Sequence, residues 1–388
     1  MAVKGVFTSD ANVNSSRKGD FASGVLYGAP AGSAPLLALS AGMKSADAMD
    51  TATHWFEQNH ISGREEIINN AGVGDTIVVR DASAIIPGIL YWVETTGEYI
   101  FVLAVSGTTL TVQRAFGETV AANIDGTGTA VDMQRISSAH EEGSSKPVAL
   151  AYIAEPKWQY QQIFRNTWDV TNTTAAVSYH TGDVVASNRA DAANLHAEDQ
   201  ERAFWWSRMA VGSQNGKPFR TMAGIDSRIV TNVRAQGANT QAQHLNSWMK
   251  DIHRTNIKGQ ADERIYFAGN TALEVINKLA AINGTTQLQP GTTEYGLKVM
   301  KWLTPFGDMS IMTAPLMSES PVWTKSLYAL HPAALRTRYL RRTTHEDNAQ
   351  DNGVDATSGV FTTECSIELL KESVCGKFTG IDTAAADS

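Results

Sequence analysis

Glu98-Tyr99-Ile100-Phe101-Val102-Leu103-Ala104-Val105 and, after Ser106-Gly107, Thr108-Thr109-Leu110-Thr111-Val112-Gln113-Arg114 form the stretch on which the fold reading turns. Both runs are dense in β-branched and aromatic residues with turn residues between them, the pattern of paired antiparallel strands. Two runs upstream, Asp75-Thr76-Ile77-Val78-Val79-Arg80 and Gly88-Ile89-Leu90-Tyr91-Trp92-Val93, have the same character. Residues 72–143 therefore read as a small antiparallel β module that ends in Glu141-Glu142-Gly143-Ser144. No cluster within it is able to do chemistry. Placed early in the chain with helices after it, such a module suits a protein that makes surfaces and contacts.

The residues before the module are unlike it. Residues 7–18 are rich in Ser and Asn, and Gly28-Ala29-Pro30-Ala31-Gly32-Ser33-Ala34-Pro35 breaks helix and strand alike through two prolines and small residues. This predicts an extended arm, which has no core of its own and is ordered by lying on another surface, such as a neighbouring subunit. A short apolar segment, residues 36–41, follows. His54-Trp55-Phe56-Glu57-Gln58 then sets two large aromatics ahead of the module.

Beyond the module, residues 158–170 and 177–179 read as further strands, and the pattern then turns helical. Ser187 or Asn188 is placed to cap a long helix through residue 211, with Glu198 and Arg202 at ion-pair spacing and Gly212 as a stop. About twenty-four helical residues would span roughly 36 Å. Its aromatic stretch, Phe204-Trp205-Trp206, spreads around more than one face, which leaves two readings open: a second face covered by a neighbouring subunit, or an ordinary core. Leu245, Trp248, Met249 and Ile252 recur at i, i+3, i+4 and i+7 as a single core stripe. Thr271 and Glu274 form a capping box for a helix with Ala272, Val275, Ile276 and Leu279 on one side and Gly284 beyond its end. The strand Arg264-Ile265-Tyr266-Phe267-Ala268 runs directly into that helix. Residues 297–303 and 309–314 read as a hairpin through Thr304-Pro305-Phe306-Gly307-Asp308. Residues 322–330 and 336–342 read as strands, 345–358 as a polar loop, 360–370 as a strand in its first half, and 382–388 as a polar tail.

At 388 residues with 43% hydrophobic content the chain buries a sizeable core. Charged residues, at 19%, fall below the usual share of about a quarter. The net charge of −8 argues against sequence-specific DNA binding, and the densest basic run, Arg336-Thr337-Arg338-Tyr339-Leu340-Arg341-Arg342, reads as a solvated strand or an intersubunit ion-pair site. Cys365 and Cys375 are too few for a disulfide framework and lack zinc spacing, so buried reduced thiols are expected. No stretch approaches the roughly 18 apolar residues of a membrane helix, and the N-terminus lacks the pattern of a signal peptide. Gly212-Ser213-Gln214-Asn215-Gly216-Lys217-Pro218 is one residue short of a phosphate loop and has Pro218 in the hydroxyl position, so it reads as a turn. His140-Glu141-Glu142 lacks a second His, and His345-Glu346-Asp347 with Asp351 reads as solvated loop acid rather than a cation site. No nucleophile is paired with a base. The expectation is a non-enzyme with no catalytic, cofactor-binding or metal-binding residue.

The order of elements resembles the major capsid proteins of tailed bacteriophages, with their Hong Kong 97-type α+β fold. The likeness is carried by Val112-Gln113-Arg114-Ala115-Phe116-Gly117-Glu118-Thr119 with Glu141-Glu142-Gly143-Ser144, by Thr304-Pro305-Phe306-Gly307-Asp308 with its flanking strands, and by Glu364-Cys365-Ser366-Ile367-Glu368-Leu369 through Gly376-Lys377-Phe378-Thr379-Gly380. The resemblance implies an N-terminal arm over residues 1–60 and an extended loop with an inserted β module over 61–150. A peripheral domain with a spine helix would follow over 151–219, then an axial domain over 220–335. Residues 336–388 would return to the peripheral domain and end in a tail. It further implies subunits that form pentamers and hexamers and close into an icosahedral shell around double-stranded DNA, without sequence-specific binding. The site of action would be the virion, with assembly in the host cytoplasm. No long charged helical segment precedes the arm, so a separate scaffolding protein is expected beside a portal and, in some shells, a cement protein. The Lys, Asn and Glu of covalently linked shells have no assignable counterparts, which leads to the expectation of a non-covalent shell. Two rivals are a bacterial compartment shell of the encapsulin type and an α+β enzyme using Asp347 and Asp351.

Overall fold

The computed structural model describes residues 34–42, 45–58, 63–128, 130–151, 153–179, 182–237, 239–283, 288–294, 297–304 and 307–382. The chain divides into two compact units, one of residues 56–157 and one of residues 1–55 with 158–388.

The inserted unit is built from six antiparallel strands: β1 (Arg64–Ile67), β2 (Thr76–Val78), β3 (Ile89–Val93), β4 (Tyr99–Ser106), β5 (Thr109–Gln113) and β6 (Val131–Ser138). Their order is β1-β6-β3-β4-β5-β2. The two ends of this sheet meet, because Ile67 bridges Val79, the Ile68 amide donates to the Val78 carbonyl at 2.9 Å, and the Arg80 amide donates to the Glu66 carbonyl at 2.9 Å. The module is thus a closed barrel. Alternation along β3 buries Ile89, Tyr91 and Val93, and the same period in β5 buries Leu110 and Val112, so inward side chains fill the lumen. Gly126 is required where the chain crosses β1, since a Cβ there would sit 2.1 Å from the Ile67 carbonyl oxygen.

One end of the barrel is closed by a buried ion pair. Arg114 donates from Nε to Glu98 at 2.8 Å and from a terminal nitrogen to the other carboxylate oxygen at 2.6 Å. It also donates to the carbonyls of Gly74 (2.9 Å) and Ala122 (2.7 Å), while the amides of Ala115 and Ala122 donate to Glu98. Burial alone would raise the Glu98 carboxyl, but Arg114 and the two amides outweigh it and hold it below the usual carboxylate range. Breaking such a fully bonded buried pair costs about 3–5 kcal/mol, against about 0–1 kcal/mol for an exposed pair such as Arg80 with Glu66.

Among the described residues, the first elements of the larger unit are α1 (Pro35–Gly42) and a short strand, Ser45–Asp47. After the barrel come β7 (Gln162–Thr171), α2 (Val184–Trp206) and the hairpin β8 (Ala210–Gln214) with β9 (Lys217–Thr221). Then follow β10 (Val233–Ala235), α3 (Ala242–Ile252), β11 (Arg264–Ala268) and α4 (Asn270–Asn283). The chain ends with β12 (Leu288–Glu294), β13 (Leu297–Thr304), β14 (Gly307–Thr313), β15 (Leu327–Leu330), β16 (Leu335–Asp347), β17 (Ala356–Leu369) and β18 (Gly376–Thr379). Strand Ser45–Asp47 with β16, β17 and β7, in that order, makes a long four-stranded sheet, and α2 packs along it through Phe164, Trp168, Ala192, Phe204 and Trp205. A seven-stranded mixed sheet, ordered β10-β18-β15-β11-β14-β13-β12, is covered by α3 and α4. In α3 the expected stripe of Leu245, Trp248, Met249 and Ile252 is buried.

Several expected boundaries move, each for a local reason. The long helix is capped by Asp183, whose carboxylate accepts from the amides of Val185 and Ala186; Asn188, inside the helix, donates back to the Val184 carbonyl at 2.9 Å. It ends at Trp206, so residues 210–211 belong to a hairpin, and Gly212 pairs there with Phe219, whose ring lies where a Cβ would be. Residues 177–179 are not a strand but follow the single-turn helix Asn172–Ala176. Thr271 sits inside α4 instead of capping it, and the first amides are met by the hydroxyls of Ser318 and Thr324 from another segment. Residues 323–325 form a 3-10 turn ahead of β15, and β16 runs on through His345, Glu346 and Asp347, residues expected to be loop. Pro35, expected to break a helix, opens α1, where its missing N–H costs nothing. The arm up to residue 33, Gly284, the hairpin residues 305–306 and the tail residues 383–388 lie outside the described residues.

Phe204 and Trp205 are buried in this unit's own core, Trp205 at 5.2 Å from the Phe267 ring and 5.1 Å from that of Tyr328. The second face of this stretch is covered within the same chain, by Trp323 stacked on Trp206 at 3.8 Å. Trp205→Ala is therefore expected to lower the unfolding free energy by about 3–5 kcal/mol, with a smaller loss for the half-buried Trp206→Ala, both read from urea titrations followed by circular dichroism.

Candidate assembly surfaces

Of the sequence candidates for chemistry, His345 and Asp347 come together, Nδ1 to Oδ1 at 3.4 Å, without a third ligating side chain beside them. His345 accepts from the Trp168 indole at 3.0 Å and lies on the Phe361 ring, whereas Glu346, Asp347 and Asp351 are exposed around the β16–β17 turn. Among the described residues no group of three or more His, Cys, Asp or Glu side chains is placed to hold a metal ion. His140, Glu141 and Glu142 are exposed beyond β6. The would-be phosphate loop is the β8–β9 hairpin. Cys365 and Cys375 are buried and unpaired, and burial pushes both thiols up to about 12. The basic run finds its partners inside the chain: Arg336 and Arg338 converge on the buried Glu368, Arg341 on Glu364 and Arg342 on Asp47. No helix among the described residues is long and apolar enough to cross a membrane.

What periodicity did not reveal is a polar seam under α2. His196 is buried, with Nδ1 at 2.7 Å from Asn166 Oδ1 on β7 and Nε2 at 2.7 Å from Thr363 Oγ1 on β17. Burial holds the imidazole below its ordinary value, partly opposed by Asp199. One turn on, the buried Glu201 accepts from the Trp205 indole at 2.8 Å and from the amides of Leu36 (3.0 Å) and Leu37 (2.7 Å) in the first turn of α1. A carboxylate from one helix thus satisfies the open N-terminal amides of another, while Leu36 and Leu39 enter the core beside it. Burial pushes the Glu201 carboxyl up to about 7 against the pull of those three donors. Periodicity misses both residues because polar side chains on a buried stripe look like an exposed face.

Other parts of the chain have apolar surface with no cover of their own. Residues 139–149 are exposed throughout, and the apolar run Pro147-Val148-Ala149-Leu150-Ala151 leads to Ile153, which is 82% exposed. Phe56, at the other connection of the inserted unit, is 74% exposed. Within that unit an open groove of about 660 Å³ lies between the barrel's Phe101, Leu103 and Phe116 and the segment carrying His140, Lys146 and Val148. In the larger unit, Val211 and Phe219 on the β8–β9 hairpin are 54% and 48% exposed. Exposed apolar patches of this kind are the mark of protein–protein contact.

A family model described as SU10 major capsid protein matches residues 11–382. The chain belongs to the SU10 major capsid protein family. Among curated relatives, the major capsid protein of Pseudomonas phage PaMx41 is 25% identical over 405 residues, covering 98% of this chain and 96% of that protein. Among solved structures, the capsid of a native GTA particle matches with a TM-score of 0.50 at 6% identity, over 97% of this chain and 98% of that one. A Mycobacterium phage Bobi chain matches with a TM-score of 0.49 at 8% identity, over 94% and 96%. The capsid subunit has the Hong Kong 97-type fold, its long helix laid on the long sheet of the larger unit, and it is a phage virion protein that assembles with copies of itself.

For this capsid subunit the Glu201 latch gives a pH signature. The carboxyl binds its proton more tightly folded than at its ordinary value of 4.5, so its contribution is present below pH 4.5 and is lost as pH rises through about 7. The stability difference between wild type and Glu201→Gln, from urea titrations, is expected to shift against wild type by about 3 kcal/mol across that window. His196 titrates alike in both proteins and cancels. A pH-independent difference would refute the assignment.

Proposed function

We propose that this subunit forms pentamers and hexamers that close into an icosahedral shell around double-stranded DNA. The observation that carries the reading is the exposed apolar connection that carries Val148, 72% exposed, and Ile153, 82% exposed, in a protein of a major capsid protein family. Apolar surface left in water is unfavourable by about 25 cal/mol per Å², and a neighbouring copy supplies the missing cover. In this reading residues 1–60 act as the arm and 61–150 as the extended loop with its barrel. Residues 151–219 and 336–388 form the peripheral domain, and 220–335 the axial domain. The subunit acts as wall material and not as a catalyst. Packaged DNA is neutralised mainly by counterions, so a chain of net charge −8 needs no tight grip on it. A separate scaffolding protein, a portal and, if present, a cement protein complete the particle in the host cytoplasm.

Negative-stain microscopy of the chain co-expressed with the scaffolding protein of its phage is expected to show uniform closed shells. Small discrete particles under every assembly condition would count decisively against the reading. The shell is held by non-covalent contacts, so particles boiled in detergent are expected to run as a single monomer band on a denaturing gel. A ladder of multimers would overturn that part.

A further inference from the structure

The two ends of the larger unit carry opposite charge and exposed apolar side chains. At one end stands the β8–β9 hairpin. Arg208, Lys217 and Arg220 lie on or beside it, and no Asp or Glu occurs between Glu201 and Asp226. Arg208 approaches Asp226 at 3.6 Å but stays 75% exposed. Val211 and Phe219 supply the apolar part. A two-stranded hairpin of this size is marginal in water without a third strand or a packed face. Both β8 and β9 are exposed over most of their length.

At the other end stands the turn between β16 and β17. Glu346 and Asp347 at the end of β16, with Asp351 and Asp355 in the turn itself, make it acidic, and no Lys or Arg occurs between Arg342 and Lys371. Asp347 meets Arg189 at 3.9 Å and Asp355 accepts from Asn172 at 2.6 Å, while Glu346 and Asp351 are exposed. Val354, 52% exposed, is its apolar contribution.

Strand β7 fixes how far apart these ends lie. The hairpin side is tied to its start, where the Met222 amide donates to Gln162 at 3.1 Å, and the acidic turn adjoins its end, where Thr171 pairs with Ala356. Ten residues of strand at about 3.3 Å each put these two points of attachment about 30 Å apart. Two complementary patches on different parts of one subunit generate a head-to-tail contact, which closes into a ring when the rotation permits. We propose that the β8–β9 hairpin of one copy docks on the β16–β17 turn of the next, Val211 and Phe219 against Val354, with Lys217 and Arg220 facing Glu346 and Asp351. The occupant of the hairpin surface is a second copy of this chain because its charge and apolar complement are both present on that chain. The inference rests on the assembly reading above and adds the surfaces through which copies meet.

A charge swap tests it. Lys217→Glu with Arg220→Glu, and separately Glu346→Lys with Asp351→Lys, are each expected to lower shell yield about tenfold through like-charge repulsion, and all four changes in one chain to restore it. The fourfold variant assembling no better than either pair, or either pair assembling like wild type, would overturn the proposal. A second readout does not depend on shells closing. Val211→Cys with Val354→Cys, oxidised in oligomers of any size, is expected to give a disulfide-linked ladder on a non-reducing gel, since Cys365 and Cys375 are buried and silent. Monomer alone sinks the contact. If the unaltered chain forms no shells, the assembly reading fails on its own account; if shells form and both tests are negative, this contact alone fails.

Discussion

The larger unit depends on one constraint: a 23-residue helix with His196, Gln200 and Glu201 on its buried side must lie where each of them finds a partner. Each unpaired buried polar group would cost about 1–3 kcal/mol, so few positions of α2 on the sheet are tolerable. His196 fixes the register by meeting Asn166 on β7 and Thr363 on β17 together. Glu201, five residues on, fixes α1 to the same helix through two backbone amides. An apolar stripe would have allowed α2 to slide or roll at small cost, because the hydrophobic effect has no direction.

The inserted barrel meets a different demand. A sheet with free edges on a protein made in many copies invites strand pairing between copies without specificity. Closure through Ile67 and Val79, with Arg114 and Glu98 sealed at one end, removes those edges. Contacts of this unit must then run through side chains, through its groove and through the exposed connecting segments. The long strands β16 and β17 are shielded in another way: their cross-sheet Arg–Glu pairs put charge on the face away from α2 and give each arginine of the basic run a carboxylate partner within the chain.

Much of the architecture was legible because local chemistry and final environment agree. The alternation in Ile89, Tyr91 and Val93 survives as lumen against exterior, and the stripe in Leu245, Trp248, Met249 and Ile252 survives as core. Legibility failed where a distant partner decides. Ser187 and Asp183 are both good helix caps, and the choice between them depends on where the preceding chain is held. Thr271 begins a good capping box, yet Ser318 and Thr324 arrive from another segment to do that work. Gly212 looks like a helix stop, yet a glycine beside an aromatic is equally a strand pair, and Phe219 makes it one.

The residues by themselves determined the α+β class, four of the six barrel strands and the core helices, since each of these follows from short-range spacing and from which side-chain types are present. The tertiary structure alone decided that the β module closes on itself, that Trp206 is covered by Trp323, that each arginine of the basic run finds a carboxylate within its own sheet, and that Glu201 holds α1. It also decided that the cationic hairpin and the acidic turn stand at opposite ends of one strand. These are pairings between residues tens to hundreds of positions apart, and no local period encodes which polar group will satisfy another once both have left water.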